Sequence, residues 1–219
     1  MAKYSKGKTQ ALLEQGRVGL GNAQSTPEIL ALLSSFNYDE AKLQEGQALF
    51  KTLDQQNSAQ LRLYAQQKEA TAAFSAARGA ANKTYTRHIK ISRALLSEES
   101  ERLARLGLQG KRAQAFGAWL EQARQFYREG LADDGLQTAL AEGGLSQEVL
   151  GSGQTQVETA AQANSAQESA KGMAQQSTQD RNAAATTFDQ WMRKFWKIAE
   201  VALSDQPQWM ERLGRMERS

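Results

Sequence analysis

The sequence has no cysteine and one histidine in 219 residues. The first absence excludes a disulfide framework, a cysteine-ligated metal and thiol catalysis. The second leaves any His-dependent triad resting on His88, with no nucleophile elbow near it. A transition-metal site would need carboxylates almost alone, and the Glu-x-x-His pairs of di-iron bundles are missing. Val and Ile together number eight, and aromatics are 7% of the chain. Sheets draw on those residue types, so an all-β or doubly wound α/β fold is not expected. No apolar run approaches the roughly eighteen residues of a membrane span. The N-terminus starts basic but has no apolar core of a secretory signal, which makes a cytoplasmic location the default expectation.

What is present points one way. Ala and Gln fill roughly a quarter of the chain, and with Leu, Glu, Lys and Arg they are good helix formers. The expected fold is all-α, an elongated helical bundle with long antiparallel or coiled-coil-like helices.

Sliding the sequence along itself exposes a repeat. At an offset of 107 residues the two halves align without a gap and share 25 identical pairs. Ala11, Leu13, Glu14, Gln15 and Arg17 meet Ala118, Leu120, Glu121, Gln122 and Arg124. Leu43, Gly46 and Gln47 meet Leu150, Gly153 and Gln154, and Asn57–Gln60 meets Asn164–Gln167. Arg105-Leu106-Gly107 meets Arg212-Leu213-Gly214. One register held from end to end implies a tandem duplication with pseudo-twofold character: copy 1 over 1–112 and copy 2 over 113–219, sharing one core or lying end to end.

Each copy is expected to open with a helix (9–22 and 112–131) and a short apolar segment (27–35 and 134–142). Thr26-Pro27-Glu28 and Asp133-Asp134 supply the starts of the latter. Turn residues follow, Asn37 in one copy and Gly143-Gly144 in the other. A long helical run comes next (39–78 and 146–185), capped by Asp39 and Ser146. Its forty residues would span about 60 Å. A more aromatic helix follows (80–96 and 187–203), either separate from the run before it or continuous with it. Ser97 and Ser204 are expected to cap a last short helix ending at the C′ glycines Gly107 and Gly214, with Pro207 in its first turn.

Read in sevens, the long runs are apolar at both ends and polar in the middle. Asn57 and Gln60, with Asn164 and Gln167, fall on one face of each copy. Polar residues at seam positions cost stability but fix register and partner; a polar ligand cavity is the alternative. Residues 158–187 carry few large side chains, bury little apolar area, and need a partner to remain ordered. The aromatic stripe Phe188, Trp191, Phe195 and Trp196 is expected to form a core or interface facing Tyr85, His88 and Ile89. The interleaved Arg193, Lys194 and Lys197 also suit a membrane-surface helix.

Other patterns dissolve on inspection. Residues 2–9 match a loose phosphate-loop motif, but that motif needs a preceding strand. Asp133-Asp134 and Glu98-Glu99 lie at helix starts, where the macrodipole accounts for them. No catalytic, cofactor-binding or metal-ligating set is predicted, and a non-enzymatic protein is expected.

The net charge of +3 conceals an asymmetry. Residues 1–112 carry 17 Lys/Arg and 10 Asp/Glu, a net of +7, whereas 113–219 carry 10 and 14, a net of −4. Complementary halves would attract within a chain or between chains, giving a homo-oligomer or polymer through a contact that need not close. The basic segment 78–112, with Arg87, Lys90, Arg93, Arg102 and Arg105, together with Lys3, Lys6 and Lys8, would alternatively dock on nucleic acid or an anionic membrane. A helical bundle that binds a small ligand is the third reading.

Overall fold

The computed structural model describes residues 4–214. Lys3 and the first residues of the phosphate-loop match lie outside that range. Among the described residues there are eight α-helices and no strand: α1 (Lys6–Ser25), α2 (Pro27–Ser34), α3 (Glu40–Leu95), α4 (Ser100–Arg105), α5 (Phe116–Ala132), α6 (Asp134–Glu142), α7 (Gln147–Ala202) and α8 (Pro207–Arg212). The protein is an all-α bundle.

The helix starts follow from local chemistry. Ser5, Asp39, Asp133 and Ser146 each accept a hydrogen bond from the backbone N–H three residues on, satisfying one of the donors that a helix leaves without an internal partner. Pro27 and Pro207 occupy the first turns of α2 and α8, where a missing N–H costs nothing. Before each long helix the chain turns through a left-handed residue, Asn37 (φ 61°) or Gly144 (φ 78°). Gly107 and Gly214 are left-handed as well. At the first, Leu108 N–H reaches back to Leu103 O at 2.8 Å and terminates α4.

The long run and the aromatic segment after it are continuous: α3 and α7 each run unbroken for 56 residues. No proline interrupts either, and each interior glycine, Gly79 among them, is a cost of about 1 kcal/mol that a helix of this length absorbs. Ser97 and Ser204 are not caps. Buried Leu96 and Leu203 instead close an extra turn, through Glu99 N–H to Leu96 O at 2.9 Å and Gln206 N–H to Leu203 O at 3.0 Å. Glu99 and Gln206 therefore take the cap positions, without a side-chain bond.

The bounds of α3 and α7 differ by 107 at both ends, as do those of α4 and α8. The left-handed positions obey the same offset, Asn37 with Gly144 and Gly107 with Gly214.

The chain forms two compact units. One is Met1–Ala65 with Gly172–Ser219; the other is Gln66–Lys171. The first unit therefore takes α1, α2, residues 40–65 of α3, residues 172–202 of α7, and α8. The second takes residues 66–95 of α3, then α4, α5, α6, and residues 147–171 of α7. Residues 1–112 and 113–219 thus each contribute to both units.

Each unit has its own core. In the first, Leu20, Ile29, Leu33, Leu43 and Leu53 close against Phe188, Met192 and Phe195. In the second, Tyr85, Ile89, Leu96 and Leu106 close against Phe126, Tyr127, Leu140 and Leu150. Full burial of such a side chain stabilises by about 1.5–3 kcal/mol. Between Leu53 and Ala81, α3 has no buried residue, and this Gln- and Ala-rich stretch stays helical without one.

Candidate functional site

The aromatic stripe is a core element. Phe188, Trp191 and Phe195 are buried in the first unit and Trp196 half-buried beside them. Trp191 stacks on Phe195 at 5.5 Å and meets the edge of Tyr38 at 5.8 Å. The expected facing of this stripe with Tyr85, His88 and Ile89 does not occur. Tyr85 and Ile89 belong to the core of the second unit, because residues 66–112 pack with residues 113–171.

Two glycines 107 residues apart, Gly46 and Gly153, give aromatic rings their room. A Cβ on Gly46 would fall 2.7 Å from two carbons of the Trp191 ring, and one on Gly153 would fall 2.5 Å from two carbons of Tyr127. Both helices therefore let an aromatic ring lie directly on their backbone.

In the second unit that ring joins a buried polar group. The Tyr127 hydroxyl and His88 Nδ1 are hydrogen-bonded at 3.1 Å, and Ser92 donates to His88 O at 2.9 Å. Burial, with Arg87 alongside, lowers the imidazole below its ordinary pKa of 6.5. Burial also pushes the Tyr85 hydroxyl up to about 12, and that hydroxyl has no hydrogen-bond partner.

The polar seam residues divide between the units. Asn57 and Gln60 are half-buried in the first, Asn164 and Gln167 in the second. Gln167 donates to the Thr71 hydroxyl at 3.3 Å, a bond between α7 and α3 within one unit.

Three of the basic residues singled out from the sequence serve the fold. Arg93 donates to Leu108 O at 3.0 Å and Gly110 O at 3.1 Å. Arg102 pairs with Glu99 at 2.9 Å and Arg105 with Asp133 at 3.0 Å. Arg87 and Lys90 are exposed. Lys6 and Lys8 lie in the first turn of α1, in the other unit.

A cleft of about 390 Å³ opens in the second unit. Residues 71–82 of α3 form one wall and the stretch from Arg112 to Trp119 the other. Arg78 donates to Gln114 O at 3.0 Å and lies over the Phe116 ring at 5.6 Å. Arg112 donates to the Thr86 hydroxyl. Phe74, Phe116 and Trp119 form an aromatic run, with centroids 4.9 Å and 5.6 Å apart. The Trp119 indole N–H is buried without an acceptor. No carboxylate is among the lining residues. Arg78, Arg112 and Trp119 were not singled out from the sequence, since their two walls are far apart in the chain and share no periodicity.

The first unit has a cleft of about 360 Å³, lined by Tyr4, Lys8, Leu12, Asp189 and Arg193 among others, which shares two lining positions with the other at an offset of 107. Leu12 corresponds to Trp119, Asp189 to Asn82, and Arg193 to Thr86. Here the lining includes a carboxylate beside the basic residues Lys8 and Arg193. Asp189 accepts from the Tyr4 hydroxyl at 3.0 Å and pairs with Arg193 at 2.8 Å.

Among the described residues no cluster of three or more His, Asp or Glu is placed to hold a metal, and no helix is long and apolar enough to cross a membrane. Comparison with protein-family models, with curated proteins and with solved structures finds no match to this chain.

Proposed function

We propose that the chain is a non-enzymatic structural protein that works by association of complementary halves. Its two halves are copies of one unit, a reading supported by the shared offset of 107 in identities, helix bounds and left-handed turns. The observation that carries the proposal is the charge distribution. The copies have diverged to +7 and −4, yet the first compact unit holds 14 Lys/Arg against 12 Asp/Glu and the second 13 against 12. Exchanging ends between a basic and an acidic copy leaves each unit near neutrality, at +2 and +1. An ion pair across the copies, Arg105 of the first with Asp133 of the second, follows the same logic.

The same exchange between chains produces oligomers. The end of copy 1 from one molecule completes the unit begun by copy 2 of another, as in domain swapping, and an unclosed series extends into a filament. Long-range attraction between the copies favours this at low ionic strength and fades once the Debye length falls below about 8 Å.

Light scattering at about 20 mM and about 300 mM salt tests self-association. Oligomers that dissociate with salt and dilution are expected, and a monomer in both conditions overturns it. Co-expression of 1–112 and 113–219 as separate chains tests the exchange. A one-to-one complex is expected, and independent cooperative unfolding of each half refutes it.

A further inference from the structure

We propose that the cleft of the second unit binds a small organic anion, a carboxylate or phosphate attached to a flat ring. Three observations converge. First, the lining is rich in donors and has no built-in counter-charge. Arg78 and Arg112 each spend hydrogen bonds on neutral oxygens, Gln114 O and the Thr86 hydroxyl, and neither pairs with a carboxylate among the described residues. A guanidinium has five N–H donors, so both retain capacity for an incoming anion. Second, the Trp119 side chain is 2% exposed and its N–H has no acceptor. A buried donor left in that state carries an uncompensated desolvation cost, and the Trp119 ring that bears it lines the cleft.

Third, the molecule contains its own comparison. At the equivalent place in the first unit a carboxylate is built in: Asp189 receives the Tyr4 hydroxyl and pairs with Arg193. The second unit has Asn82 where that carboxylate would be. The amide can neither neutralise the nearby guanidinium groups nor hold them as an ion pair. An external anion supplies the missing charge through charge-assisted hydrogen bonds.

The ring follows from the walls. Phe74 and Trp119 line the cleft, and aromatic faces favour a flat apolar partner by edge or stacked contacts. A volume of about 390 Å³ is at the small end for ligand pockets, which suits one ring and one anionic group. Occupancy requires one folded chain and no association between chains.

The test uses the full-length protein labelled with ¹⁵N. Its four tryptophans give four indole N–H signals, and Trp119→Phe identifies one of them. Phenyl phosphate is titrated to about 10 mM, a range that detects millimolar or tighter binding. Inorganic phosphate and benzyl alcohol serve as separate arms. The Trp119 signal is expected to move saturably with phenyl phosphate, at lower concentration than with inorganic phosphate, and not with benzyl alcohol. Arg78→Gln is expected to weaken binding about tenfold or more, the loss of a charge-assisted bond. Asn82→Asp, which restores the built-in carboxylate, is expected to abolish it while the other three indole signals hold their positions.

The absence of a saturable shift overturns the proposal, as does an equal shift in Arg78→Gln and Asn82→Asp. Equal response to benzyl alcohol overturns its anionic part, and equal response to inorganic phosphate its aromatic part.

Discussion

Replacing Gly153 with alanine sets two effects of opposite sign against each other. Alanine in a helix interior is favoured over glycine by about 1 kcal/mol, and Gly153 lies inside α7. Against that, the new Cβ falls 2.5 Å from Tyr127 Cε1 and Cζ, about 1 Å inside ordinary carbon contact. The ring has nowhere to go. Tyr127 is fully buried, 5.0 Å from the Phe126 ring, and bound to His88 at 3.1 Å. Overpacking of this kind costs about 1–3 kcal/mol, and losing the buried hydrogen bond adds about 1 kcal/mol. The net expectation is destabilisation by about 1–3 kcal/mol. Gly172 of the same helix is the control, because a Cβ there meets nothing within 4 Å; Gly172→Ala is expected to stabilise by about 0.5–1 kcal/mol. Urea unfolding followed by far-ultraviolet circular dichroism gives both midpoints. A Gly153→Ala midpoint equal to or above that of Gly172→Ala refutes the argument that the ring rests on bare backbone.

Two further outcomes are expected. His88 is held below its ordinary pKa of 6.5 by burial and then by Arg87, so the unfolded chain takes up the proton first. The associated stability is fully present above pH 6.5 and declines as pH falls through the folded-state value; His88→Gln is expected to flatten that decline, and unfolding midpoints between about pH 7 and pH 5 that fall equally in both proteins exclude it. Arg124 of α5 forks onto Glu158 of α7 at 2.7 Å and 2.9 Å, with both side chains about 40% exposed. Glu158→Gln is expected to cost about 0.5–1 kcal/mol at low salt and less at about 0.5 M, by the same unfolding assay, and a salt-independent loss contradicts a screened ion pair.

The helices were legible because their signals are local. Asp39, Ser146, Pro27 and the left-handed Gly107 and Gly214 act on neighbours within a few residues, so composition and order alone place them. The merging of two expected segments into α3 was harder to read, since Gly79 and the polar stretch around it resemble a break but remove no backbone hydrogen bond. Which half packs on which was not legible at all. A heptad reading ranks the faces of a helix without naming the partner, and the stripe around Trp191 was accordingly matched with Tyr85 rather than with Tyr38. The cleft of Arg78, Arg112 and Trp119 escaped for a related reason. Its walls meet only after α3 and the segment entering α5 have packed. The one long-range signal available was Gly46 and Gly153 at equal register, a pair whose meaning depends on rings that the sequence places elsewhere.

The composition of the two units also orders events during synthesis. Residues 66–171 are one continuous stretch, so the second unit has all its parts once residue 171 has been added. The first unit needs Gly172–Ser219 as well. Until that segment emerges from the ribosome, the core formed by α1, α2 and residues 40–65 lacks Phe188, Met192 and Phe195. A nascent chain spends that interval with one unit able to close and the other waiting, and vectorial growth exposes the waiting surface to neighbouring chains.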